Sequence, residues 1–415
     1  MSRGPLTICV VGYARSQHVV TRARSFAERG HRVYLVTEAW NPDGIEGVVQ
    51  LVPDSARLGL FALALRFLLA LLRRLRIETK HLYRAFAFVT LLRRIRPDVV
   101  HVHYAYSYYG WMAGMVGCRP LVVTVMGGDI LFDEQGSPTP EGEWLTLNLL
   151  RQADYITSKS NHLLDVLDQL GGLGTKAERI IWGVALRQFR RVDATALRAS
   201  LGIEPTSRVV LSPKILQPFY RVHLIVDAMA RVIRSVPDAM LLITEYAADA
   251  EYRAVLETRI RELGLERHVR FCGHVAYKDM PAYYSLAEMT VAVPSSDGLP
   301  QTLLEGMACE TPSVLSRLPR YEEIVSHRQS AYFVEPDAGS IAEGIVELYR
   351  EPALRKDIAS RALEIVRAVA DLDEQVSRVE SKFYELTRTV RAEPWSLARA
   401  RRAWLGYREF RRTHG

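Results

Sequence analysis

Twice along this chain an apolar run is followed by a turn, a helix-period stretch and a second apolar run, and that alternation confines the fold to parallel α/β sheets. Leu6 to Val11 is apolar, Gly12 to His18 reads as a turn, and Val19 to Arg29 has the spacing of an amphipathic helix. Gly30-His31 stops that helix before a strand at Arg32 to Thr37. Parallel strands need such crossovers, and ligands gather in these sheets outside the carboxyl ends of the strands. Further strands are predicted at Val99 to His103, Leu121 to Val125, Tyr155 to Ser158 and Arg179 to Trp182. Turn-formers from Arg190 to Thr206 predict a linker. The alternation then resumes at Val209 to Ser212, Met240 to Thr244, Val269 to Phe271, Met289 to Val293 and Ser313 to Leu315. At 415 residues with 48% hydrophobic content, the chain is long enough for two cores.

The stretch Val291 to Ser316, VAVPSSDGLPQTLLEGMACETPSVLS, carries the clearest chemical signal. A covered strand runs into the Pro294 to Gly298 turn, and Pro300 suits a first helical turn because its missing N–H is not needed there. A helix starting at that point aims free N–H groups and the positive end of its dipole at the loop, which makes a seat for phosphates. Two acids flank the seat, Asp297 and Glu305. Helical spacing puts Leu303, Leu304, Met307 and Ala308 on one apolar face and turns Glu305 roughly 130° from its centre, towards solvent or a cleft. The plainer alternative is that Thr302-Leu-Leu-Glu305 is a capping box.

Cys9, Cys118, Cys272 and Cys309 are scattered without metal or redox spacing and read as buried free thiols of a reducing compartment. Leu6 to Gly12 is too short for a signal-peptide core, so a cytoplasmic protein is expected. The net charge of +7 is uneven. Ten Lys/Arg stand against the single acid Glu78 between Arg57 and Arg96, and eight Arg stand against Glu393 and Glu409 from Arg388 onward. Two basic patches on an otherwise acidic chain argue against a nucleic-acid binder.

The first patch is also apolar. Leu58 to Leu72, LGLFALALRFLLALL, is too short and too interrupted by Arg66 to span a bilayer, which takes about 20 residues. Residues 57–96 read as amphipathic helices that either lie on an anionic membrane surface or cover the first sheet with basic outer faces. The tail at 395–412, WSLARARRAWLGYREFRR, is either a second surface anchor or a helix packed back on the body.

The Asp297-x7-Glu305 pair followed by GMACETPSV resembles the donor-binding signature of the retaining two-domain transferases of the glycosyltransferase 4 family. FAERGHRVYLVT, RPDVVHVHYAYSYYG, PLVVTVMGGDI, ADYITSKS, VRFCGHV and YYSLAEMTVAVPSSDG also resemble that family, in its order, over about residues 6–387. The resemblance implies a GT-B fold: two Rossmann-like domains with parallel sheets facing across a central cleft. Residues 1–190 would form the acceptor domain, 191–387 the nucleotide-sugar donor domain and 388–415 a basic helical tail. It further implies Glu305 as the ribose ligand, Asp297 beside the transferring carbon, and Gly298, Leu299, Pro300, Gln301 and Thr302 along the donor. Lys214 and Arg221, in SPKILQPFYRVH, occupy the region of the family's Arg and Lys with the types exchanged.

A departing nucleoside diphosphate needs its charge balanced by a metal or by fixed cations. No Asp-x-Asp pair follows a strand, so a metal-independent reaction without cofactor is expected, with a UDP- or GDP-sugar as donor. On the acceptor side the loop after the first strand offers Ser16 and His18. His101 reads as structural, whereas His103 is open between structure and function. Asp129 replaces, as catalytic candidate, the His that family members carry at the position of Met126. Thr244-Glu245-Tyr246 stands where a glycine-rich turn is usual, Ala185 where Asp is usual, and the first loop lacks a glycine pair. Two readings follow: a divergent retaining enzyme acting on a saccharide, lipid-linked, cell-envelope or natural-product acceptor, peripheral at the inner face of the plasma membrane, or a non-catalytic nucleotide-sugar-binding subunit or sensor. A nicotinamide enzyme is disfavoured because GYARSQ stands where G-x-G-x-x-G would be needed.

Overall fold

The computed structural model describes residues 4–53, 80–132, 139–246, 248–391, 405–407, 409–410 and 412. The chain divides into two compact units, residues 1–180 with 376–415 and residues 181–375. Together they give the GT-B fold class that the sequence predicts.

The first unit holds seven parallel strands in the order β3-β2-β1-β4-β5-β6-β7. They are β1 (Thr7–Val11), β2 (Arg32–Val36), β3 (Val48–Leu51), β4 (Val99–His103), β5 (Leu121–Val125), β6 (Tyr155–Ser158) and β7 (Ala177–Arg179). The near-continuous Val/Ile/Leu content of β1, β4 and β5 is what burial on both sheet faces requires. The order reverses between β1 and β4, which pair Ile8 with Val99 and Val11 with Val102. That is the switch point at which open α/β sheets open a crevice.

The second unit repeats the plan with six parallel strands, ordered β10-β9-β8-β11-β12-β13. These are β8 (Arg208–Ser212), β9 (Ala239–Ile243), β10 (Val269–Phe271), β11 (Met289–Ala292), β12 (Ser313–Ser316) and β13 (Tyr332–Val334). Its switch point lies between β8 and β11, where Met289 pairs with Val210.

Strand positions match the sequence expectations at most elements, with three differences. The strand expected at Arg179 to Trp182 is β7, ending at Arg179, and the short strands β3 and β13 are additional to those predicted. The Arg190 to Thr206 stretch carries a helix at Thr195–Ser200. The domain limits also move. Ile181, Val184 and Phe189 are buried in the second unit's core, so the division falls after Ile180 instead of at 190. Residues 376–387, expected in the donor domain, belong to the first unit. The helix Leu372–Thr389 explains this: Phe383 is fully buried with its ring 5.2 Å from Phe26, and Glu380 pairs with Arg29 and His31. Burying Val376, Val379, Phe383 and Leu386 is worth about 1.5–3 kcal/mol each at most, far more than the exposed part of those ion pairs.

The helix Lys80–Ile95 buries Phe88, Val89 and Leu92 in the first core and exposes Arg93 and Arg94, so it covers the sheet with a basic outer face. Residues 57–79 lie outside the described residues, as do 392–404 of the tail. At the far end of the tail, Tyr407 is buried against Trp144, with ring centroids 5.4 Å apart, which is the packed-back alternative for that stretch. No helix among the described residues is long and apolar enough to cross a membrane.

Candidate active site

In the second unit, the loop after β11 and the loop after β8 meet at the switch point. Lys214, two residues past β8, reaches across 83 positions of sequence to place Nζ 2.5 Å from Asp297 Oδ2. Both groups are largely buried, Lys214 at 7% and Asp297 at 16% side-chain exposure, so the pair is not a solvent-screened surface bridge. Tyr321, fully buried, donates its hydroxyl to the same Oδ2 at 3.0 Å. Arg320 Nη2 donates to Ser296 Oγ at 2.8 Å, and the Ser295 amide donates to the Phe219 carbonyl at 3.1 Å. The Pro294 to Gly298 loop is thereby tied to its neighbours on both sides.

The following helix spans Gln301–Ala308, with Pro300 as its N-cap at φ −77 and ψ 139 and no capping side chain. The capping-box alternative therefore fails: Thr302 lies inside the helix. Glu305 does not face solvent either, being 3% exposed. Tyr284 donates to its Oε2 at 2.9 Å, and Tyr277 donates a second hydrogen bond. Burial outweighs both bonds and the nearby Lys214 charge, and pushes the Glu305 carboxyl up to about 7. Leu299 packs into the core, and Gln301 Nε2 donates to the Gly183 carbonyl at 2.9 Å. Of the residues expected along the donor, Leu299 and Gln301 thus have their side chains engaged by the protein. Gly298 and Thr302 stay half-buried beside the loop, and Pro300 is buried.

Arg221 is the N-cap of the helix Val222–Ser235 in a left-handed conformation, φ 51. Its guanidinium makes no ion pair among the described residues, and the first turn of that helix has no acid. A cation at the positive end of a helix dipole is unfavourable until an anion joins it.

In the first unit, the loops after β1, β2, β4 and β5 are joined. Asp129 is fully buried and accepts from the Ala105 amide at 2.7 Å and from the Met126 and Gly127 amides at 2.9 Å each. Burial raises its pKa, against the pull of those backbone bonds. Its oxygens accept from three main-chain amides, so Asp129 holds the β4 and β5 loops together, a structural role beside the catalytic one that the sequence suggests. His101 is structural as expected, with Nε2 2.8 Å from Thr124 Oγ1. His103 is 2% exposed, and its ring lies 4.2 Å from the His101 ring, tilted by 45°. Burial, His101, Arg22 and His18 hold His103 well below the usual histidine range, so it is a neutral imidazole. Ser16 caps the helix Gln17–Glu28 without a side-chain bond and, like His18, is half-buried. A Cβ on Gly12 would sit 3.0 Å from Val19 and 3.4 Å from His103, so a side chain there would crowd these loops.

Residues 16–187 match the family model described as Glycosyltransferase Family 4, and residues 193–364 match that of Glycosyl transferases group 1. The chain belongs to this group of glycosyltransferases. Among curated relatives it is 23% identical to the N-acetyl-alpha-D-glucosaminyl L-malate synthase of Bacillus anthracis over 66% of this chain and 70% of that one. It is 30% identical to the D-inositol 3-phosphate glycosyltransferase of Segniliparus rotundus over 37% of this chain and 34% of that one. Among solved structures, Anabaena HepE in complex with UDP and glucose superposes with a TM-score of 0.75 at 18% identity, covering 92% of this chain and all of that one. The sucrose-phosphate synthase of Thermosynechococcus elongatus gives the same TM-score at 19% identity, covering 92% and 99%.

Within this glycosyltransferase the sequence missed Tyr277, Tyr284, Arg320 and Tyr321. Tyr284 sits in YYSLAEMTV, yet nothing local tells a buried tyrosine that meets a carboxylate from one that fills space. Arg320 and Tyr321 follow β12 and reach the loop only through the fold.

Proposed function

We propose that this glycosyltransferase moves a sugar from a nucleoside-diphosphate sugar to an acceptor hydroxyl with retention of anomeric configuration and without a metal. The observation that carries the reading is the meeting of Lys214, Asp297 and Tyr321 at the second unit's switch point, with a buried Glu305 one helix away. Glu305 would accept the ribose hydroxyls. The loop amides, the helix start at Gln301, Lys214 and Arg221 would balance the diphosphate as the bond from the anomeric carbon to its oxygen breaks. The acceptor oxygen bonds to the same face of that carbon, and its proton passes to a diphosphate oxygen. Asp297 lies beside the sugar.

On the acceptor side, Tyr13 and Trp40 are each 52% exposed on loops that leave the sheet after β1 and β2. Those loops are tied by Arg15 Nε to the Trp40 carbonyl at 3.2 Å and by Asn41 Nδ2 to the Ala14 carbonyl at 3.1 Å. Half-exposed aromatic residues at a strand's carboxyl end suit the apolar face of a sugar. With Ser16, His18 and His103 they would form the saccharide end of the acceptor site, and the basic, apolar 57–79 stretch favours an acceptor held at an anionic membrane surface on the cytoplasmic side.

The test is incubation of the purified protein with UDP- and GDP-sugars. UDP leads the panel because HepE was solved with it. Release of nucleoside diphosphate, raised by acceptor extracts, is expected. Binding without release under every condition would favour the non-catalytic reading. With an acceptor in hand, Trp40→Ala is expected to raise its KM roughly tenfold at unchanged donor KM. An unchanged acceptor KM would remove Trp40 from the site.

A further inference from the structure

Asp297 Oδ2 takes two hydrogen bonds, from Lys214 Nζ at 2.5 Å and from Tyr321 Oη at 3.0 Å. The two donors differ in what else they can do. Lys214 carries a charge on a flexible stem, and a doubly charged diphosphate attracts it more strongly than one carboxylate does. Tyr321 is fully buried on the short helix Pro319–Glu322, behind the loop. Burial and the Asp297 charge keep its hydroxyl protonated, so it remains a neutral donor. Its reach to Asp297 is fixed from both sides: Arg320 Nη2 holds Ser296 Oγ at 2.8 Å and Ser316 Oγ holds the Pro294 carbonyl at 3.3 Å. An aspartate is one methylene shorter than a glutamate and leans on such neighbours for its aim.

Resting on the donor reading above, we infer that Tyr321 is a positioning residue that keeps Asp297 anchored when Lys214 leaves it for the donor diphosphate. One ammonium thus serves the carboxylate in the empty site and the leaving group in the loaded one. In the empty site Lys214 and Asp297 neutralise each other. In the loaded site the ammonium turns to the phosphates, and Asp297 keeps only the neutral Tyr321 bond. Without that bond the carboxylate would be free to swing after the cation and away from the sugar.

Tyr321→Phe removes one oxygen and leaves the ring. With the donor turned over in the panel, its kcat is expected to fall about tenfold while donor KM stays within twofold. Asp297→Asn should lose more than about a hundredfold in kcat, and the double variant should be no worse than Asp297→Asn alone. Calorimetry with UDP is expected to show several-fold tighter binding to Asp297→Asn, because Lys214 no longer has a carboxylate to leave. As a packing control, Val325→Ala, a buried change whose backbone amide bonds the Tyr321 carbonyl at 2.9 Å, should lower Tm yet keep kcat. Full kcat in Tyr321→Phe beside a dead Asp297→Asn would overturn the positioning role. Full kcat in Asp297→Asn would overturn the assignment of Asp297 on which it stands. Equal kcat losses in the tyrosine variant and the control at equal Tm loss would reduce Tyr321 to packing, and unchanged or weaker UDP binding by Asp297→Asn would end the hand-over. If no donor turns over, the donor reading on which the inference rests fails, and the positioning role fails with it.

Discussion

Glu305→Ala loses at least about a hundredfold in affinity for UDP, measured by calorimetry, because two ribose hydroxyls forfeit a charged acceptor at roughly 1.5–3 kcal/mol each. It also leaves the buried Tyr284 hydroxyl and the half-buried Tyr277 hydroxyl without their acceptor. Glu305→Gln is therefore the cleaner probe, and it exposes a pH signature. The native carboxyl titrates at about 7 against the usual 4.5, so between those values the folded protein holds a proton that the unfolded chain has released. The stability of the donor-free protein then declines as pH rises from 4.5 to 7, by on the order of 3 kcal/mol, and levels above that. Glu305→Gln should flatten this decline. Donor affinity runs the opposite way, since ribose hydroxyls donate to the ionised form, and should rise about tenfold from pH 6 to pH 8. Equal UDP affinity in wild type and Glu305→Ala would sink the ribose assignment.

Asp129→Ala is expected to destabilise the first unit by about 3–5 kcal/mol, because the amides of Ala105, Met126 and Gly127 lose their acceptor in a fully buried place. Scanning calorimetry should show the corresponding transition lowered on the order of 10 °C. Asp129→Asn, which keeps one carbonyl oxygen, should lose about half as much. A lost kcat at unchanged Tm would instead make Asp129 a reacting group and restore the expectation drawn from its place near Met126.

The parts of this protein that are legible in the sequence are those written in local pattern. Apolar runs such as TICVV, VVHVH and LVVTV announce strands buried on both faces whatever surrounds them. The short strands Val48–Leu51 and Tyr332–Val334 escaped because three or four residues carry no period. Asp297 and Glu305 were found through their spacing and their likeness to a family, but their surroundings were not. Helical geometry turned Glu305 away from the apolar face of its helix. Tyr284, 21 positions earlier, nonetheless covers it. The same limit misplaced the domain boundary, because the helix Leu372–Thr389 reads as a plain amphipathic helix until Phe26 is seen against Phe383.

The sequence by itself determined two parallel α/β units, a turn and helix start after Val293, and the residue types that stand there: an acid in the loop, an acid in the helix and a cation after Ser212. The units and the turn follow from periodicity and turn chemistry, which act over a few residues, whereas the two acids and the cation are singled out through their likeness to a family. Only the tertiary structure decided that Lys214 and Tyr321 converge on one oxygen of Asp297, that Glu305 is buried and titrates at about 7, and that Asp129 is a clamp. Hydrogen-bond partners and desolvation depend on which distant segments the sheet order brings together, and no local pattern encodes that.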